Sequence, residues 1–370
     1  MTFTPQKNAE KAIALVIVML VIVVLAVLAG GFAYSMKVET RLARNTSFDA
    51  DFENLGRSGV EYARWILSEQ LRDPSPELRA YTGRQQKWGG GPANTNELLV
   101  DVTLEDNELP PGKFSLYMED MESKFNLSVI RDERFMPVLQ RALEMIGSDP
   151  IETSKIVESY LDWVDPDDNK RTQGAETPYY LNFKPDAPYV AKNGLMDDVS
   201  EFLLINGMTP EIYFGASRAG SRRRFGAAPK ATSLGGAAES EGGSVGLMDL
   251  FTTVSSAGMG VNVHTAAPEV LQILPGMDAT LARAIVDTRA GPDHEDGTYD
   301  DIPFLQQGEL INVPGMTPEL MQMLRPYLVL NSGLFKVQVE AVIGDQSRRY
   351  EALIQRRNAL DVNILYFRVL

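Results

Sequence analysis

Between Lys11 and Lys37 the chain runs for about 25 residues without a charge, AIALVIVMLVIVVLAVLAGGFAYSM. Fourteen of these are Leu, Ile, Val or Phe. At roughly 0.3–0.6 kcal/mol each, they favour insertion into a bilayer by about 6 kcal/mol. A helix rises 1.5 Å per residue, so about 20 apolar residues cross a hydrocarbon core about 30 Å thick. The stretch therefore reads as a membrane helix close to the N-terminus. A cleaved secretory peptide is the competing reading, with Gly31-Phe32-Ala33 as its cleavage site, but its apolar core would be about 7–15 residues, shorter than this run. Charge does not orient the span, because Lys7 and Lys11 precede it while Lys37, Arg41 and Arg44 follow.

The remaining length of the 370-residue chain suffices for two domains. A net charge of −15 opposes non-specific binding to nucleic acid or anionic lipid. Cysteine is absent and only His264 and His294 supply imidazole, which excludes thiol chemistry and argues against a histidine-rich centre. No phosphate-binding loop, nucleophile elbow or zinc-protease pair is found, so the chain reads as a non-enzyme.

Phe48, Phe52, Leu55, Gly59, Ala63 and Ile66 recur at helical spacing, and no proline lies between Pro5 and Pro74. One helix over 13–71 is predicted, transmembrane first and amphipathic after, ended by Asp73-Pro74-Ser75-Pro76. Alternation at Leu98, Val100, Val102 and Leu104, and apolar residues at Phe114, Leu116 and Tyr117 after the turn Pro110-Pro111-Gly112, predict strands. The same texture returns at Phe335–Ile343, Arg349–Arg357 and Val362–Val369. The expected fold is α+β: a long N-terminal helix packed on an antiparallel sheet drawn from 72–120 and 331–370, with an all-α domain inserted over 121–330. Within the insert, helices are predicted over Asp132–Ile146 and from an Asp149 cap to a stop at Pro166. The stretch 216–246, poor in apolar bulk and carrying Arg222-Arg223-Arg224, reads as a disordered loop.

The sharpest constellation is Asp165-Pro-Asp167-Asp168-Asn169-Lys-Arg-Thr-Gln-Gly-Ala-Glu176. A twelve-residue calcium loop supplies oxygens from positions one, three, five and twelve, which here are Asp165, Asp167, Asn169 and Glu176, with Asp168 an additional candidate. Lys170 replaces the usual glycine at position six, and Pro178 stands where an exit helix would start. Spacing alone leaves a calcium loop and an acidic helix-stop turn both open.

Three fragments share a Gly-Met turn followed by a capped helix: Leu204–Ile212, Ile273–Leu281 and Asn312–Leu320. With Val261-Asn-Val-His-Thr-Ala266 upstream of the second, they resemble helix-hairpin-helix units, which grip DNA phosphate through backbone amides. Thr209, Asp278 and Thr317 replace the second glycine of that motif, and 251–330 holds 3 basic against 10 acidic residues. A packing unit reused as scaffold is the better reading.

Taken together, the apolar span opening Ala12-Ile-Ala-Leu-Val, Ser58-Gly-Val-Glu-Tyr-Ala63, Glu122-Ser-Lys-Phe-Asn-Leu127, Leu161-Asp-Trp-Val-Asp-Pro-Asp167, Gly174-Ala-Glu176-Thr-Pro-Tyr-Tyr180, Val261–Ala266 and the C-terminal hairpin resemble, in order, the K subunits of type II secretion systems, the large minor pseudopilins. The resemblance implies a pilin-like helix and sheet with an inserted helical domain. It implies a place at the tip of the periplasmic pseudopilus, where the subunit initiates or caps the filament for protein export across the outer membrane. Expected partners are the I and J minor pseudopilins, with the major pseudopilin and exported proteins beyond them, and no nucleic acid. It further implies a leader over 1–12 cut by prepilin peptidase between Ala12 and Ile13, N-terminal methylation, and a single-pass inner-membrane topology with the N-terminus cytoplasmic and the bulk periplasmic. The family's acidic calcium loop falls on Asp165, Asp167, Asn169 and Glu176. Ile17 takes the fifth mature position, where ordinary pilins carry glutamate. The alternative from another class is a membrane-anchored DNA-binding protein using helix-hairpin-helix turns.

Overall fold

The computed structural model describes residues 6–131, 133–183, 188–215 and 245–370. The first five residues of the expected leader and most of the expected disordered loop therefore lie outside the described residues. The chain divides into two units, Met1–Leu55 and Gly56–Leu370. In the first, helix α1 (Gln6–Ser47) contains a span from Leu15 to Thr40 long and apolar enough to cross a membrane, with none of it buried in protein. Helix α2 (Asp49–Gln70) follows after one residue, Phe48, in a turn. The helix expected over 13–71 is thus present as two segments.

The second unit is built on a five-stranded antiparallel sheet of β1 (Asn107–Leu109), β2 (Gly112–Asp120), β3 (Leu334–Ile343), β4 (Gln346–Asn358) and β5 (Asp361–Val369), in that spatial order. Strand β3 alternates as its sequence demands: Phe335, Val337, Val339 and Ala341 are buried and the residues between are half-buried. It pairs on one side with β2, Met118 opposite Val337, and on the other with β4, Val339 opposite Tyr350. The C-terminal part of α2 packs on the sheet through glycine. A Cβ on Gly56 would lie 2.5 Å from the Tyr350 ring, and one on Gly59 2.6 Å from Val339 Cγ1. Each glycine costs about 1 kcal/mol of helix propensity relative to alanine, and here it lets the helix backbone reach the sheet.

One expected strand is absent. Leu98 and Val100 are 63% and 59% exposed, and Glu97–Leu99 forms a 3-10 turn. Asn96 decides this. Its side chain accepts from Leu98 N and donates to Glu69 O at the end of α2, so a local cap overrides weak alternation.

The inserted region holds its own core, in which Phe125, Tyr160, Phe202, Phe251 and Leu271 are buried. Helix α3 (Met136–Ile146) is followed by α4 (Pro150–Val164), whose cap Asp149 accepts from Ile151 N and Glu152 N, with proline at the first helical position. Helix α5 (Thr177–Phe183) comes next, and further along lie α6 (Pro268–Gln272), α7 (Ala279–Arg289) and α8 (Pro318–Leu324). The insert is not purely helical: Phe125–Asn126 pairs with Phe251–Thr252, and Val261–Asn262 with Leu328–Val329, both parallel.

A buried polar network ties the insert to the sheet. Asp120 Oδ2, at the end of β2, accepts from Asn262 Nδ2, Thr265 Oγ1 and Ser332 Oγ. Glu122 Oε1 accepts from Ser256 N at 2.6 Å, and Arg356 of β4 donates to Thr82 Oγ1 and Ser332 O. Burial and the neighbouring Glu122 push Asp120 up to about 7, against the hydrogen bonds it receives.

Candidate metal centre

The acidic loop leaves α4 at its last turn. Asp162 lies in the last turn of α4 and Asp165 is its extended C-cap, and their carboxylates come together at the helix end. Asp162 is fully buried and Asp165 half-buried. The chain then turns back, and Glu176, 2% exposed, starts α5 by accepting Tyr179 N on its backbone carbonyl. Carboxylate oxygens of Asp162, Asp165 and Glu176 lie within 4.8 Å of one another. Oxygens that close can share one calcium ion, whose bonds to oxygen are about 2.3–2.6 Å long.

Two of the predicted ligands, Asp165 and Glu176, are therefore brought together. The others stand apart. Asp167 is exposed and accepts Asn169 N in a local turn, Asn169 is exposed, and Asp168 accepts from Asn193 Nδ2 at 3.3 Å. Asp162 was not among the predicted residues. Loop counting starts at Asp165, and Asp162 sits inside an apolar helix; its signal was a carboxylate one turn before the helix stop. The exit helix forms despite Pro178, which occupies the first turn, where a missing N–H is harmless.

Arg171 closes the loop. Its Nη1 donates to Asp162 Oδ1 at 2.7 Å and also to Asp165 Oδ2, while its backbone N donates to Asp162 Oδ2 at 3.2 Å. Asp165 Oδ1 and both Glu176 carboxylate oxygens are buried without a hydrogen-bond partner. Burial, and then the Asp162 and Asp165 charges, push Glu176 up to about 7. A Cβ on Gly174 would lie 1.9 Å from Asp162 Oδ2, so only glycine fits beside this carboxylate. Buried, unpaired oxygens facing a cluster of like charge fit a hard cation, and an all-oxygen donor set suits calcium.

The other singled-out residues have structural roles. His264 is buried beside Tyr81 and Phe304, and its Nε2 accepts Phe304 N. Burial brings it down to about 3, which keeps it neutral. His294 is exposed in a left-handed turn. Trp163 is buried and donates to Glu201 Oε2, and Trp65 stacks on Tyr62. The Gly-Met turns all have positive φ at Gly207, Gly276 and Gly315, and Thr209, Asp278 and Thr317 cap the helices after them. The second and third turns bury their methionines, Met277 and Met316, while Gly276 and Gly315 are exposed, Gly276 beside Leu320 and Met323 of α8 and Gly315 beside Leu281 of α7. Only the second has an α-helix on both sides, since Val199–Leu204 and Gln307–Asn312 are 3-10. The processing positions Ala12 and Ile13 fall within α1, and Ile17 is exposed on it.

Comparison with known proteins places these features. Residues 123–217 match the family model described as type II secretion system (T2SS), protein K. Type II secretion system protein K of Klebsiella pneumoniae is 24% identical over 260 residues, 66% of this chain and 67% of that protein. A putative type II secretion system protein K of Escherichia coli K12 is 26% identical over 216 residues, 56% of this chain and 60% of that protein. A protein K of Dickeya chrysanthemi is 32% identical over 76 residues, 20% of each chain. A chain of the crystal structure of the GspK-GspI-GspJ complex from enterotoxigenic Escherichia coli superposes with a TM-score of 0.62, covering 89% of this chain and 99% of that one. At 14% identity, that likeness establishes the fold.

Proposed function

The chain belongs to the protein K family of type II secretion systems, and from that premise we propose that it is a structural minor pseudopilin at the tip of the secretion pseudopilus, initiating or capping the filament. The carrying observation is the apolar span Leu15–Thr40 continued in sequence by a helix whose Gly56 and Gly59 press on an antiparallel sheet with a large insert. The apolar half holds such a subunit in the inner membrane before assembly, as a single pass with the bulk periplasmic. Ile17 supports a tip position. A carboxylate in that span costs about 2.5–3.5 kcal/mol unless paired, and a terminal subunit has no further subunit above it to supply the partner.

The solved relative assembles with GspI and GspJ, and the I and J minor pseudopilins of the same system are the proposed partners here, with the major pseudopilin and exported proteins beyond them. Prepilin peptidase cleavage between Ala12 and Ile13, methylation of the new terminus and the absence of enzymatic activity belong to the same reading. Calcium is the proposed ion for Asp162, Asp165 and Glu176, where it would neutralise the buried carboxylates and pin the loop between α4 and α5. Thr209, Asp278 and Thr317 in place of the motif's second glycine, and the acidic balance of 251–330, offer nothing to the DNA-binding alternative. The test is co-purification of the detergent-solubilised full-length chain with tagged I and J proteins from the same host. A stable three-component complex is expected, and recovery of this chain alone under native expression would overturn the reading.

A further inference from the structure

The ion proposed above does not account for Arg171. The three carboxylates carry one charge more than a divalent cation can neutralise, and their oxygens divide into two sets. Asp162 Oδ1 and Asp165 Oδ2 are held by the Arg171 guanidinium. Asp165 Oδ1, Glu176 Oε1 and Glu176 Oε2 are buried and bonded to nothing. A guanidinium competing for the ion's own place would occupy the free set; this one leaves it open. Its Nη1 instead takes one oxygen from each aspartate, so each carboxylate plane is turned before any ion arrives. The backbone reinforces the arrangement, because Arg171 N reaches Asp162 Oδ2 and Gly174 N closes a turn on Arg171 O. Free oxygens of two charged residues then face each other beside the guanidinium.

The geometry points to Arg171 as a positioning residue for cation binding: it holds Asp162 and the outer oxygen of Asp165, cancels the surplus negative charge, and leaves the inner oxygen of Asp165 with Glu176 open to one divalent ion. This rests on the calcium reading and adds to it a residue outside the ligand set. Groups that orient metal ligands in this way typically change affinity by 10–100-fold when removed.

The experiment uses the full-length chain in detergent micelles. Calcium affinity is measured by titration calorimetry. Bound terbium, a luminescent stand-in for calcium excited through nearby Trp163, reports the number of coordinated waters from its decay in light and heavy water. Arg171→Ala is expected to weaken calcium binding about 10–100-fold and to add water to the bound terbium, because a loosened aspartate leaves the ion. Arg171→Lys keeps the charge but not the rigid planar guanidinium; it should fall between the two, and it carries the test if Arg171→Ala does not fold. Equal or tighter calcium binding in these variants, with an unchanged water count, overturns the inference while leaving the calcium reading standing. A wild-type chain with no saturable calcium or terbium binding sinks both.

Discussion

A Cβ on Gly59 would lie 2.6 Å from Val339 Cγ1, so this helix and the central strand meet closer than any other residue pair would allow. Gly59→Ala restores helix propensity worth about 1 kcal/mol but forces a buried valine and its strand to move. Overpacking of this kind costs about 1–3 kcal/mol, so a net loss is expected in urea unfolding of the full chain. A gain of the size seen at an exposed helix glycine would show that the contact is loose.

Asn262 donates to Asp120, Thr82 O and Ser332, and accepts His264 N. Asn262→Ala leaves Thr82 O and His264 N without their partner and takes one of three donors from Asp120, at about 1–3 kcal/mol for each group left unpaired. We expect the insert to become more susceptible to limited proteolysis than the sheet. A wild-type digestion pattern would mean that the network does not hold the junction.

His264 is brought down to about 3 by burial, from an ordinary value near 6.5. The folded chain therefore binds fewer protons than the unfolded chain between these values, and stability falls as pH drops through that window. Above pH 6.5 the histidine is neutral in both states and contributes no pH dependence. At pH 5 the expected loss is about 2 kcal/mol. His264→Gln should narrow the difference in melting temperature between pH 7 and pH 5, and an unchanged difference would assign it to other groups.

Chelation is expected to lower the melting temperature of the full chain. Asp165→Ala combined with Glu176→Ala should remove that response, and Asp162→Asn should weaken it. Gly174→Ala should act in the same direction by displacing Asp162 from its place. Superimposable melting curves with and without chelator would exclude a structural calcium ion.

Ile17→Glu places a carboxylate in the apolar span, at about 2.5–3.5 kcal/mol unless it finds a partner. Recovery of the complex with the I and J proteins should fall, while Ile17→Leu should leave it unchanged. Equal recovery of the two variants would mean that the position carries no information about the tip.

Much of this protein was determined by local patterns. The uncharged run after Lys11 fixes a membrane-length helix because charge and hydropathy act residue by residue. Period-two burial in Phe335–Ala341 marks the central strand, and the Asp149-Pro150 pair marks the start of α4. That Asp165 and Glu176 would lie together was legible because the expected loop fixes their spacing along the chain. Only the tertiary structure decided the rest. Asp162 joins the site from inside a helix, Asn96 turns an alternating stretch into a capped turn, and Asn262, within a motif that resembles a phosphate grip, proves to be a clamp on Asp120. Each of these depends on a partner distant in sequence or on a local side-chain bond stronger than the pattern around it. Periodicity reports which face of an element is apolar; it carries no information about which polar group will be waiting there when the chain closes.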